Sequence, residues 1–493
     1  MVGSHRIIPT PPLQLQLGRR CLLMDRSVLE DMMGCRREVH QPRRHAANPL
    51  LSSGAFGDYA DAHGFQQPHV CHDVAAGVWR MWVAAYDRFE SPPGSGPADR
   101  CYGLYFESQD GIEWDAPELD VCFRPEGRFV PRNVFWALPD RSVHISVCAL
   151  PEEGGWWGRG RRYAMIYHCT RLGRDPGNDA LRGGGMELRM AFSADGIRFA
   201  DQQENPVFIG QSDCINSLIY HPQRRVFMLY RRPAVHAGHI RRISYSESVD
   251  LVSWSQPTTV LVPDEMDTEE HEVGHFYGLA PCVYQGVTFG LLHCLYSTNP
   301  FAETKPRKHM STDVQLCWSS DGMEFARHPR RPMFLETGPV GSSDWAQVSP
   351  GSVVECEDEI RIYYQGSEQL HAPMGGASHV CLATLPRDRW VSIEAPVEGC
   401  FVTRPFSCPG GRLHLNARLL TPGGAIEVAA RRGDGEHDGE WLPTHDFGTN
   451  GAGFEAADSL STPCLAPFDG LRGRTLRLHF KLRAAELFSF WFE

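Results

Sequence analysis

Few of the signals that settle a function at sight occur in this 493-residue chain. No run approaches the ~20 apolar residues of a membrane span. Residues 1–17 hold no continuous apolar core of a secretory leader, so none is expected there. The 16 cysteines form no CxxC pair. Several (Cys148, Cys214, Cys282, Cys317, Cys381) sit inside apolar strand-like runs, as buried free thiols do. A reducing, cytoplasmic setting is the expectation. No P-loop, GxGxxG or serine-hydrolase elbow is apparent. Nor is there a basic field: 48 Lys and Arg stand against 60 Asp and Glu, a net charge of −12. Nucleic acid and membrane are therefore not expected as partners.

What is present is repetition. Forty-eight Gly and 36 Pro favour tight turns over long helices. One short turn recurs after strand-like runs: Ser108-Gln-Asp110-Gly111-Ile-Glu-Trp114, Ser193-Ala-Asp195-Gly196-Ile-Arg-Phe199, Ser248-Val-Asp250-Leu-Val-Ser-Trp254 and Ser319-Ser-Asp321-Gly322-Met-Glu-Phe325. A worn fifth copy surrounds Asp388 and Trp390. The Asp positions lie 85, 55, 71 and 67 residues apart, a supersecondary unit with inflated loops. Asp and Ser bond nearby amides, Gly supplies positive φ and the aromatic packs between units, so the turn reads as structural.

Each unit reads as strand A, a short turn, strand B, a long loop, strand C, the Ser-x-Asp turn and a short fourth strand. The B strands stand out as aromatic and β-branched runs, such as Val226-Phe-Met-Leu-Tyr230 and Ile360-Arg-Ile-Tyr-Tyr364. The expected fold is all-β: a five-bladed β-propeller over 46–397, then a small antiparallel β-sandwich over 398–493. Residues 1–45 are expected to pack on the propeller. The sandwich could support a homo-oligomer.

Loop length orients the ring. A–B turns are short and B–C loops long, and long loops on a rigid scaffold carry function more often than short ones. The site is expected on the long-loop face, at the axis, where the A strands begin. Polar residues at those starts are Gln66, Gln67 and His69; Arg132 and Asn133; Asp213 and Asn216; Glu270, His271, Glu272, His275 and Tyr277; and Asp344, Trp345 and Gln347. Asp213, Glu272 and Asp344 are the candidate catalytic carboxylates. One protonated and one ionised acid around a sugar is what glycosidic cleavage requires. Gln67, His69, Arg132, Asn133, Arg242, His275, Tyr277, Trp345 and His371 are the candidate sugar-binding residues. Arg231, Arg232, Arg241 and Arg242 flank the third long loop, where one or two could hold an anionic group. His271 and His275 have a helical metal spacing, but Gly274, Phe276 and Tyr277 read as a strand entry. No metal or other cofactor is expected.

Leu22-Leu-Met-Asp-Arg26, His40-Gln-Pro42, Asn48-Pro-Leu-Leu51, Arg241-Arg-Ile-Ser-Tyr-Ser-Glu-Ser248 and Trp254-Ser-Gln-Pro257 resemble bacterial propeller proteins. Those proteins are related to glycoside hydrolase family 32 and its five-bladed relatives, families 43, 68 and 130. The resemblance spans nearly the whole chain and implies the fold and a carbohydrate substrate. The invertase-type front motif is absent. Arg174-Asp175-Pro176 and Glu355-Cys356 mimic other motifs of the family, but at a B–C loop and beside a short turn. No catalytic residue is carried over. A glycoside hydrolase acting on a terminal or small glycoside is the expected function. A glycoside phosphorylase and a non-catalytic carbohydrate-binding protein are the alternatives.

Overall fold

The computed structural model describes residues 13–24, 27–53, 64–88, 99–121, 132–138, 141–152, 160–171, 186–209, 215–233, 240–267, 272–298, 310–371, 377–433, 441–447 and 462–493. The expectation of an all-β chain is borne out. Its strands are broken among the described residues only by two short 3-10 turns, Glu265–Asp267 and Asp469–Leu471. The chain forms two compact bodies, residues 41–385 and residues 1–40 with 386–493.

In the larger body five antiparallel groups follow one another. Their inner strands are His69–Asp73, Arg141–Ala149, Asn216–His221, Glu272–Tyr284 and Gln347–Glu355. Each pairs with the next strand in the chain, in the first, third, fourth and fifth groups through a short turn: Val78–Arg88, Tyr163–Arg171, Val226–Arg231, Val287–Thr298 and Glu359–Ser367. The inner strands neighbour one another in a closed cycle, the fifth returning to the first. At that closure Ser352 Oγ donates to the Pro68 carbonyl and accepts from the Val70 amide, at 3.2 and 2.9 Å. A closed ring of antiparallel groups is the β-propeller arrangement, which leaves few free sheet edges.

The second strands read as nearly continuous apolar runs because both faces are covered. Phe227 and Leu229 pack toward the second group, while Met228 and Tyr230 pack toward the fourth. The last group borrows its edge from the start of the body: Arg43–Arg44 and Leu51–Ser52 pair with Ser378–Pro386. Between them Asn48 takes the backbone of Leu382 in two 2.8 Å bonds. Asn205 does the same to Met190.

The repeated turns are staples. In each complete copy the Ser hydroxyl bonds the Asp carboxylate, and that carboxylate accepts two further backbone amides. Burial would raise the Asp195 pKa, but these donors outweigh it and hold it at about 2. Three copies also tie groups together. Trp82 Nε1 donates to the Gly196 carbonyl at 2.6 Å, Tyr230 Oη to Gly322 at 2.6 Å, and Tyr363 Oη to Gly111 at 2.8 Å. Arg80, Arg224 and Arg361 reach the neighbouring Asp carbonyls alongside. The links run from group one to two, three to four and five to one. The glycines have φ of +75 to +78°, and a Cβ there would lie 2.6–2.9 Å from the aromatic or its neighbours.

In the smaller body the 18-residue strand Thr475–Phe492 is the spine. It pairs with Val391–Thr403, Arg412–Leu419 and Ala425–Arg432 over an apolar core that includes Phe401, Phe480 and Phe490. The N-terminal segment groups with this body up to His40. Leu29–Met33 and Arg36–Val39 pair with Val391–Thr403, and Cys21–Leu22 with the spine. These residues are strands of this body. Only the stretch from Gln41 onward joins the ring.

Candidate functional site

The long connections enter and leave the ring at one end of the inner strands, and there the structure gathers Tyr277, His275, His293, His371, Arg232 and Arg241. Tyr277 sits at a register break in the fourth inner strand, between Phe276 and Gly278. A bulge of this kind re-aims a side chain out of the regular alternation. Gly278 is required beside it, since a Cβ there would lie 2.2 Å from Ile215 Cγ2. Ile215 itself has φ +68°, a strained conformation for a β-branched residue.

Tyr277 is the hub. Its hydroxyl bonds His371 Nε2 at 3.0 Å, and the His371 and His293 rings meet it edge-on at 5.0 and 5.4 Å. The Arg232 and Arg241 guanidiniums lie 4.2 and 5.4 Å from its ring centre. Burial first, then the charges of His371 and Arg232, pulls the His293 pKa down to about 3, so this imidazole is neutral. The Arg241 amide donates to His275 Nδ1 at 3.3 Å, which puts that ring's proton on Nε2, 2.8 Å from Ser297 Oγ. The wall thus combines an aromatic hydroxyl, neutral imidazoles and cations, a set suited to sugar hydroxyls and to an anionic group.

The first and second groups add a second polar row. His69 is buried, and desolvation lowers its pKa to about 4. Gln67 is buried with no hydrogen-bond partner for its Nε2. Gln66 Oε1 meets His144 Nδ1 at 2.6 Å, and His144 lies 5.6 Å from His168 across the strand pair. His144, His168 and His293 were missed in the sequence, where each looks like one polar residue in an apolar strand.

Two expected residues belong elsewhere. Arg132 and Asn133 do not open the second inner strand, which is Arg141–Ala149. They precede Val134–Trp136, the outer strand of the first group, and Asn133 Nδ2 caps the Tyr105 carbonyl at 2.9 Å. Arg132 is exposed. Trp345 is half-buried, its amide bonded to the Ser342 carbonyl at 3.3 Å. Arg242 is half-buried just before the strand Ile243–Ser248.

The three acids fare differently. Asp213 lies outside the described residues, three positions before the third inner strand. Glu272 opens the fourth inner strand, opposite Thr298. Asp344 is a tie. Its carboxylate takes Arg44 Nε at 2.7 Å, Tyr364 Oη at 2.9 Å and Ser342 Oγ at 2.8 Å, and it is 2% exposed. These partners come from the middle and edge strands of the last group and from its own loop, not from an inner strand. Asp264 and Asp267, in the connection before the fourth inner strand, are held by Arg327 and Arg331.

At the opposite, short-turn end, a cavity of about 530 Å³ is lined by residues including Cys71, Asp73, Glu152, Arg161, Arg162 and Tyr163. Asp73 is fully engaged by Arg162 Nη2, Tyr163 Oη and Arg80 Nε, at 2.7, 2.8 and 3.2 Å. Burial opposes its ionisation, but these donors hold its pKa well below the carboxylate range. Among the described residues no group of three or more His, Cys, Asp or Glu is placed to hold a metal ion.

No protein-family model matches the chain, and no curated protein matches it significantly. Solved structures do align with it at low identity. A β-1,2-mannobiose phosphorylase from Listeria innocua is 12% identical over 70% of this chain and 97% of its own, at a TM-score of 0.46. A glycosyl hydrolase from Bacteroides ovatus is 12% identical over 71% and 94%, at 0.45. An exo-inulinase from Aspergillus awamori is 10% identical over 92% and 99%, at 0.41.

Proposed function

We propose that the chain is a glycoside hydrolase whose site is the long-loop end of the inner strands. The observation that carries this reading is the bulged Tyr277, set among His371, His293, Arg232 and Arg241 on the strand that Glu272 opens. The substrate is a terminal or small glycoside. Asp213 and Glu272 supply the acid and the base or nucleophile. Tyr277, His275 and His371 bind sugar hydroxyls. Asp344 keeps its place in the scaffold through Arg44 and Tyr364. Assay of Glu272→Gln and Asp213→Asn against a panel of aryl glycosides should show turnover lowered about 10²- to 10⁴-fold with unchanged circular dichroism. Full activity in both variants would remove the assignment.

The cations around Tyr277 favour one second reading, a glycoside phosphorylase in which phosphate replaces water as nucleophile. Turnover that requires inorganic phosphate separates the two. Sugar binding without turnover under either condition would leave a carbohydrate-binding protein.

A further inference from the structure

Arg231 and Arg232 are neighbours in sequence, but they face different layers of the ring. Arg232 turns to Tyr277. Arg231 turns the other way, into the layer between the second and third groups, where its guanidinium lies 3.8 Å over the Phe208 ring. It is 1% exposed. Among the described residues its guanidinium makes one long hydrogen bond, from Nη2 to Ser246 Oγ at 3.5 Å. Nε and Nη1 have no hydrogen-bond partner, and no carboxylate pairs with it, among the described residues. Burial alone lowers its pKa to about 10, which leaves it charged at neutral pH.

Partly buried arginines elsewhere in the ring are paired with carboxylates: Arg80 has Asp73 and Arg327 has Asp267. A buried charge without a counter-charge is strongly unfavourable and persists where something else is gained. Arg231 is also well placed. It ends the second strand of the third group directly opposite Asn216, the first residue of an inner strand, at the long-loop end. The Phe208 ring fixes the guanidinium plane, and a fixed planar fork matches a carboxylate better than a point charge would.

We propose that Arg231 anchors an oxyanion subsite at the long-loop end, which takes the carboxylate of an acidic sugar. This deepens the glycosidase reading and rests on it. Asn216, across the strand pair, borders the same subsite. The substrate is then a glycoside with a uronate-type residue at or next to the cleaved bond.

The test uses binding, not turnover, so it stands apart from any failure of the hydrolase assignment. The full chain is titrated with matched monosaccharides, glucuronate against glucose, galacturonate against galactose and mannuronate against mannose, and separately with inorganic phosphate. At least one uronate should bind about tenfold tighter than its neutral partner. Arg231→Met should abolish that preference, and Arg231→Lys should keep part of it. Arg231→Met should also raise the Tm of the ligand-free protein, because an unpaired buried charge is removed. If Arg231→Met does not fold, the reduced preference of Arg231→Lys carries the test. Equal binding within every pair, or a preference that survives both substitutions, overturns the proposal. Arg231-dependent binding of inorganic phosphate without a uronate preference also overturns it and transfers the subsite to a free anion.

Discussion

The two ends of the inner strands differ in how their buried polar groups are met, although the long-loop end also holds the paired Asp344–Arg44 and Asp267–Arg327 ties. At the short-turn end Asp73 meets Arg80, Arg162 and Tyr163, and Arg80 reaches on to the Asp195 carbonyl of the next group. At the long-loop end, among the described residues, Arg231 has no carboxylate and Gln67 Nε2 no partner, and His69 and His293 are forced neutral by burial. The first end is built to hold the ring together. The second holds polar groups whose best partners are not in the protein. Buried polar groups are normally satisfied, so their concentration at one end marks the side where a ligand belongs.

The largest effects should separate chemistry from scaffold. Glu272→Gln should lower turnover by about 10²- to 10⁴-fold, while Asp344→Asn should leave the rate per folded molecule within a few-fold of wild type. Steady-state kinetics on purified, folded protein decides this. Next in size is the tie at the short-turn end. Asp73→Asn weakens the hold on Arg80, Arg162 and Tyr163 and should destabilise the ring by about 1–3 kcal/mol, read as a lowered denaturation midpoint. Equal stability changes for Asp73→Asn and Arg231→Met would erase the contrast between the ends.

Acid should act on the two ends in different windows. His69 and His293 have folded pKa values of about 4 and 3, below the ordinary value of 6.5. The unfolded chain binds their protons first, so their contribution is complete above pH 6.5 and is lost as pH falls toward 4. The turn aspartates, with Asp195 at about 2 against 3.8, contribute fully above pH 3.8 and lose that only below it. A melting series should therefore fall in two steps, and His293→Phe should flatten only the upper one. A smaller effect belongs to one staple: Tyr363→Phe removes the bond to Gly111 and should cost about 1 kcal/mol by chemical denaturation.

Most of the ring was legible in the sequence, because the Ser-x-Asp turns recur and the second strands are apolar on both faces. The misreadings have local causes. Asn133-Val-Phe-Trp136 has the look of an inner strand, yet it fills the outer edge of the first group, where Gly103 leaves room for the Phe135 ring. Residues 29–39 carry no mark of the partner more than 350 positions away that they pair with. The site was half legible. His275, Tyr277 and His371 do converge, but the bulge that aims Tyr277 depends on Ile215 fitting against Gly278, a contact no local pattern encodes. Asp344 looked like an active-site acid because its partners, Arg44 and Tyr364, are distant in the chain.

The most direct test of the central claim is a crystal structure of Glu272→Gln with a glycoside bound. The account predicts a sugar at the long-loop end, with Tyr277 or His371 within hydrogen-bond distance of its hydroxyls and residue 272 beside the glycosidic oxygen. A sugar seated instead in the short-turn cavity, against Asp73 and Glu152, would contradict it.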